Sequence, residues 1–210
     1  MSSCCSGSCS SQSSPPDNRY RKVLWVALLI NVLMFGVELV SSMRSGSVSL
    51  LADSVDFLGD AGNYAVSLFV LGMASIWRSR AAYAKGIVMG AFGVLVLARA
   101  LWIGLGNHVP EAETMGIISV IAFAANGLVA LLLYAFRNGD ANMRSVWLCT
   151  RNDMIANLAV LLAAIGVFGT KAGWPDIAVA SVMAVLGLSA AHDIIGRARS
   201  EIRSLKISMS

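Results

Sequence analysis

Long apolar runs alternate with short polar breaks along this 210-residue chain, and six runs reach the roughly 20 residues that a helix needs to cross a bilayer. They cover about 23–42, 48–74, 86–105, 114–136, 146–168 and 177–195. The pattern predicts an all-α membrane protein with six transmembrane helices across residues 19–203. Little chain is left for a soluble domain.

Four polar residues at helical spacing interrupt two of these runs. Asp56 and Asp60 stand four apart in Leu51-Ala52-Asp53-Ser54-Val55-Asp56-Phe57-Leu58-Gly59-Asp60. Asp153 and Asn157 do the same in Arg151-Asn152-Asp153-Met154-Ile155-Ala156-Asn157. Residues i and i+4 share one helix face, so each pair presents two oxygen ligands to one side. At about 1.5 Å of rise per residue, Asp56 and Asp60 fall roughly 12 and 18 Å from the outer end of the second helix. Asp153 and Asn157 fall roughly 10 and 16 Å from the inner end of the fifth. In a core about 30 Å thick, Asp153 then lies near the depth of Asp60 and Asn157 near that of Asp56. Carboxylates at such depth mark ion or proton pathways. Two oxygens from each of two helices make a cage for a divalent cation. The competing account is two unrelated polar patches, with Asn157 hydrogen-bonding between helices.

Composition agrees with a membrane solvent. The chain is 57% hydrophobic with a mean hydropathy of +0.71, and its 13% of charged residues is far below the quarter usual in soluble domains. With the N-terminus in the cytoplasm, 12 of the 16 Lys and Arg fall on the inner side. Arg44 and Lys171 fall outside, and Arg99 and Arg151 lie within or at the edge of spans. The positive-inside rule therefore predicts that both termini are cytoplasmic, and a bacterial cell membrane is the expected site. The net charge of +4 is a topology signal and implies no nucleic-acid partner.

Residues 1–18 form a separate Ser-rich tail with Cys4, Cys5, Cys9 and Pro15-Pro16. The tail lacks the basic and apolar regions of a signal peptide. Its thiols are expected to be reduced on the cytoplasmic side. They are either ligands for a soft metal or incidental to a disordered tail. Residues 204–210 read as a short cytoplasmic tail.

At the two pairs the chain resembles the cation diffusion facilitator family, six-helix carriers that exchange a divalent metal for protons. Gly46-Ser47-Val48-Ser49-Leu50-Leu51-Ala52-Asp53 looks like that family's lead-in to its second helix, followed by the site at Asp56 and Asp60. Trp174-Pro175-Asp176-Ile177-Ala178 resembles the turn opening its last helix. The resemblance covers about residues 20–203. It implies a transporter rather than an enzyme, with the metal as cargo, protons as the coupling ion, no cofactor, and a homodimer as one compatible assembly. Zinc-carrying members usually supply histidine to one or both pairs. Here Asp153 holds the histidine-type position and Asn157 the aspartate-type one. The family's cytoplasmic metal-binding domain is expected to be missing, because the chain stops at Ser210. The loop expected at 73–85 holds no His, Asp or Cys, so a second site there is expected to be absent.

Other polar residues admit simpler readings. Glu38 and Arg99 both map to the outer half, where an ion pair between them is expected. The alternative is that Arg99 snorkels while Glu38 relays protons. Asp53, one turn before Asp56, either supports a ligand from behind or stands at the entry. Asn31, Asn63 and Asn126 read as packing groups, and Gly86, Gly90 and Gly93 as a smooth face for close helix contact. A membrane alcohol phosphatidyltransferase begins its motif as Asp53-Ser54-Val55-Asp56 does, but Phe57 stands where that motif has glycine. Its later aspartates would have to lie in the third helix, which has none. A passive channel would ring a pore with charges, unlike a two-plus-two cage.

The all-oxygen set favours hard ions such as Mn²⁺ or Fe²⁺, whereas the thiol-rich tail and the resemblance favour Zn²⁺, then Co²⁺ and Cd²⁺. An imidazole softens such a site. Asp153→His is therefore expected to raise transport of Zn²⁺ and Cd²⁺ relative to Mn²⁺ in competition assays, and a fall in that ratio would remove residue 153 from the cage.

Overall fold

A computed structural model of the chain describes residues 18–69, 75–106, 108–135 and 141–209. Cys4, Cys5 and Cys9 lie outside the described residues. The regular structure is helical throughout: α1 (Asn18–Ser45), α2 (Val48–Phe69), α3 (Ser75–Leu105), α4 (Ala112–Tyr134), α5 (Ala141–Thr170) and α6 (Trp174–Met209). Several helices outrun the apolar stretches that predict them. The segment 75–85, expected as loop, forms the first turns of α3, and 204–209 prolongs α6. Hydropathy marks the thickness of the hydrocarbon, and Lys, Arg and Glu are good helix formers beyond it.

Among the described residues, five helices are long and apolar enough to cross a membrane: all but α2. Every 18-residue stretch of α2 contains Asp53, Asp56 and Asp60. The bundle deals with that charge by enclosure. Every residue from Ser47 to Val55 is buried, and none from Val48 to Leu68 is exposed. α2 packs against α1, α3, α5 and α6. Its residues enter all four apolar clusters: Tyr64 and Leu68 in one, Val48, Leu51, Ala52 and Val55 in another, Leu50 in a third and Phe57 in the last. The outer helices turn large apolar residues such as Leu101, Trp102 and Leu105 outward, as lipid contact requires.

The closest pairings join α3 to α6, α1 to α2 and α4 to α5. The small face of α3 explains the first. A Cβ at Gly86 would stand 2.7 Å from Cγ1 of Ile195, and one at Gly93 2.9 Å from Cγ of Leu188. On α1 the buried residues are Tyr20, Leu24, Ala27, Asn31, Met34, Glu38, Ser42 and Ser45, and on α4 Met115, Ser119, Ala122, Asn126, Val129 and Leu133. Steps of three and four residues keep each stripe on one seam. Polar residues occur within the seams.

One end of the bundle gathers the α1–α2, α3–α4 and α5–α6 connections. α1 ends at Gly46, whose φ of 72° suits a residue without Cβ, and its N–H reaches the Ser42 carbonyl at 3.0 Å. Ser47 caps α2, accepting from the Leu50 N–H at 3.1 Å. The Glu111 N–H bonds the Ser45 carbonyl at 3.0 Å, tying the start of α4 to the end of α1.

The strongest tie at this end comes from Asp176 at the start of α6, which is fully buried. Its Oδ1 accepts from Ser47 Oγ at 2.7 Å, Ser49 Oγ at 2.6 Å and the Ser49 N–H at 3.0 Å. Its Oδ2 accepts from the Val48 N–H at 2.8 Å. A carboxylate at a helix N-terminus meets both unpaired N–H groups and the positive end of the helix dipole. Asp176→Ala would leave two backbone N–H groups and two hydroxyls buried without it. Unfolding in detergent should show a loss of about 3 kcal/mol or more, with Asp176→Asn in between. An unchanged transition would show that α2 is held by other contacts.

Candidate metal centre

α2 and α5 run side by side, and the expected meeting of their acidic residues occurs at one level. Asp60 is within hydrogen-bonding reach of Asp153. Asp60 is buried and Asp153 half-buried. On its other side Asp60 faces Asn63 and the ammonium of Lys85, whose Nζ donates to Asn63 Oδ1. The stem of Lys85 passes over Gly62, where a Cβ would stand 3.4 Å from its Cδ. Tyr64, one turn beyond Asp60, places its hydroxyl 3.5 Å from Asp60 Oδ2 and 2.7 Å from Thr150 Oγ1. Thr150 lies one turn before Asp153. The phenol and the threonine thus join α2 to α5 just below the two carboxylates.

A second polar level lies nearer the end that Asp176 closes. Asn157 Nδ2 donates to Asp53 Oδ1 at 3.0 Å, and Asn157 Oδ1 accepts from Asn126 Nδ2 at 3.4 Å. The level expected for Asn157 was that of Asp56; its bond reaches Asp53, one turn further along α2. Asp53 is fully buried, so solvation at an outer mouth does not describe it. Asp56 is half-buried between the two levels, within electrostatic reach of Glu38.

The expected ion pair between Glu38 and Arg99 is not formed. Both Glu38 carboxylate oxygens and Arg99 Nε are buried without a hydrogen-bond partner. Glu38 instead faces Asp53. Equal depth put Glu38 and Arg99 together, but azimuth separates them. α1 turns its Met34–Glu38–Ser42 stripe away from lipid, and its main neighbours are α2 and α4, whereas α3 packs chiefly on α6.

Among the described residues, no three His, Cys, Asp or Glu side chains converge tightly enough to hold one ion. The lower level offers two carboxylates in contact, with Asp56 one turn away on the same helix. Sequence reasoning missed Tyr64, Thr150 and Lys85, and treated Asn63 and Asn126 as packing. Tyr64 stands four residues after Asp60 and Thr150 three before Asp153, the one-turn spacing that could have revealed them.

The model of the cation efflux transmembrane domain matches residues 24–203. The chain belongs to that family. It is similar to a cadmium, cobalt and zinc/H(+)-K(+) antiporter of Bacillus velezensis, at 26% identity over 192 residues, covering 83% of this chain and 60% of the relative. Metal tolerance protein 1 of Arabidopsis thaliana is 28% identical over 116 residues, 54% of this chain and 28% of that protein. A proton-coupled zinc antiporter of Mus musculus is 23% identical over 181 residues, 73% of this chain and 49% of that one. The chain therefore spans less than two thirds of the length of each of these relatives.

The bridge below the carboxylates has a measurable energy. In a double-mutant cycle, Tyr64→Phe and Thr150→Val should couple by about 1 kcal/mol in unfolding experiments, because the two hydroxyls lose one shared bond. Fully additive effects would mean that the phenol does not link α2 to α5.

Proposed function

We propose that the protein exports a divalent metal cation from the cytoplasm in exchange for protons. Zn²⁺ is preferred, Co²⁺ and Cd²⁺ follow, and Mn²⁺ or Fe²⁺ form the second reading. The observation that carries this is the contact of Asp60 on α2 with Asp153 on α5, two carboxylates from separate helices of the bundle. In this reading α2 is a sixth span shielded by its neighbours, both termini lie in the cytoplasm, and Asp176 marks the outer end. Asp56, Asp60 and Asp153 supply carboxylates and Asn157 a neutral oxygen.

Ligands bind metal deprotonated, so an ion entering from the cytoplasm displaces protons from Asp60, Asp153 and Asp56. After the bundle opens outward, protons return to the same carboxylates and the ion leaves. Lys85 keeps a positive charge beside Asp60 at the cytoplasmic mouth. The names of the relatives support the metal ranking: one is called a cadmium, cobalt and zinc antiporter and another a zinc antiporter. Carboxylate oxygens are accepted by Zn²⁺ in four-coordinate sites, which suits two ligands from each of two helices.

Reconstituted vesicles holding a pH-sensitive dye test the exchange. Zn²⁺ uptake should be matched by opposing proton movement, and uptake without it would refute the antiport. Asp56→Ala, Asp60→Ala and Asp153→Ala should each lower transport by more than about 10-fold, the loss already typical of residues that merely support a ligand. Asn157→Ala should be milder. Equal rates for Asp60→Ala and the parent protein would end the proposal.

A further inference from the structure

The proposed cage takes its carboxylates from the lower level and from Asp56, and from the upper level only the Asn157 oxygen, so the Glu38 and Asp53 carboxylates are left unused. We propose that Glu38 and Asp53 form a second divalent-cation site, about 10 Å from Asp60 along α2 and nearer the end closed by Asp176. This rests on the reading that the protein handles divalent ions, and adds a separate station to it.

Both side chains are fully buried. Glu38 and Asp53 stand within hydrogen-bonding reach of each other, and no other group donates to Glu38 Oε1 or Oε2 or to Asp53 Oδ2, so acceptor oxygens from two helices face one another. The remaining oxygen, Asp53 Oδ1, takes its hydrogen bond from Asn157. One turn away, Met34 and Phe57 pack with Ala122 into an apolar cluster that gives the pair a dry floor. Among the described residues no basic group balances the charge here: the Lys85 ammonium is at Asp60, two turns along α2, and Arg99 Nε hydrogen-bonds to neither carboxylate.

Two buried carboxylates with unfilled acceptors need positive charge and electrophilic partners together. A doubly charged ion supplies both and leaves the pair neutral, whereas a monovalent ion leaves one net negative charge in a low-dielectric site. Oxygen donors suit a hard or borderline divalent cation. Asp56 stands three residues from Asp53 and four from Asp60, so one face of α2 carries a ladder from the lower level to the upper one.

Zn²⁺ binding to the purified full-length protein in detergent tests the site. Glu38→Gln should bind one equivalent fewer than the parent, and so should Asp53→Asn. Asp60→Asn should lose a different equivalent, so that its combination with Glu38→Gln loses two. Any contribution from the tail cysteines is common to all and cancels. Should those variants fail to fold, anomalous scattering at the zinc edge from crystals of the parent protein gives the answer directly. A peak beside Glu38 and Asp53, distinct from one beside Asp60 and Asp153, supports the site. Parent stoichiometry in Glu38→Gln, or a peak at Asp60 and Asp153 alone, overturns it while leaving the transport cage standing. Failure to bind Zn²⁺ at either level overturns both.

Discussion

A carboxylate facing lipid at mid-bilayer costs about 3 kcal/mol, and α2 carries three within eight residues. No arrangement that leaves α2 at the rim of the bundle is tolerable. Enclosure by α1, α3, α5 and α6 is the consequence, and much of the remaining structure follows from it. A helix buried as far as its first turn cannot give its leading N–H groups to water. A partner must come from within the protein, and Asp176 meets the Val48 and Ser49 N–H groups with one carboxylate. The start of α6 is thereby fixed to the start of α2, and the pairing of α6 with the glycine face of α3 extends the enclosure.

The same constraint shapes the seams. α1 and α4 bury stripes stepped by three and four residues, which sequester Asn31, Glu38, Ser42, Ser119 and Asn126 from lipid. Some of these groups satisfy themselves on their own helix: Asn31 donates to the Ala27 carbonyl at 2.8 Å and Ser119 to the Met115 carbonyl at 2.7 Å. Others reach across. Glu38, Asp53, Asn157 and Asn126 form a polar line through α1, α2, α5 and α4 at a single level. Polar side chains are costly in such a bundle unless joined, so their position on the seams makes the helix packing specific as well as tight.

Helix number, helix type and the depth match of Asp60 with Asp153 were legible in the sequence because each depends on one coordinate, distance along a helix axis. The smooth face of Gly86, Gly90 and Gly93 was legible for a related reason, since spacing alone puts those residues on one side. Quantities that depend on rotation were not. Glu38 and Arg99 share a depth but face different neighbours. Asp176 appeared as part of a turn motif, and nothing local to it indicates that its partners lie more than 120 residues away, at Ser47, Val48 and Ser49. Lys85 was placed in a loop because hydropathy falls before helicity does. The role of Asn63 was hidden with it, since Asn63 acts by joining that lysine to Asp60.

The amide at position 157 departs from the family resemblance, and its surroundings supply a physical reason. Asp53 is buried beside it and already faces Glu38, so a carboxylate at 157 would bring a third negative charge into one dry level and could donate no hydrogen bond. The amide donates to Asp53 through Nδ2 and still offers Oδ1, which Asn126 approaches only at 3.4 Å. That long bond is the weakest in the line and the easiest to exchange. If Oδ1 turns toward an ion held by Asp60 and Asp153, Nδ2 turns with it, because one planar group carries both atoms. Occupancy of the lower level and the hydrogen bonding of Asp53 are then linked through a single side-chain rotation, a coupling that aspartate at 157 would lack.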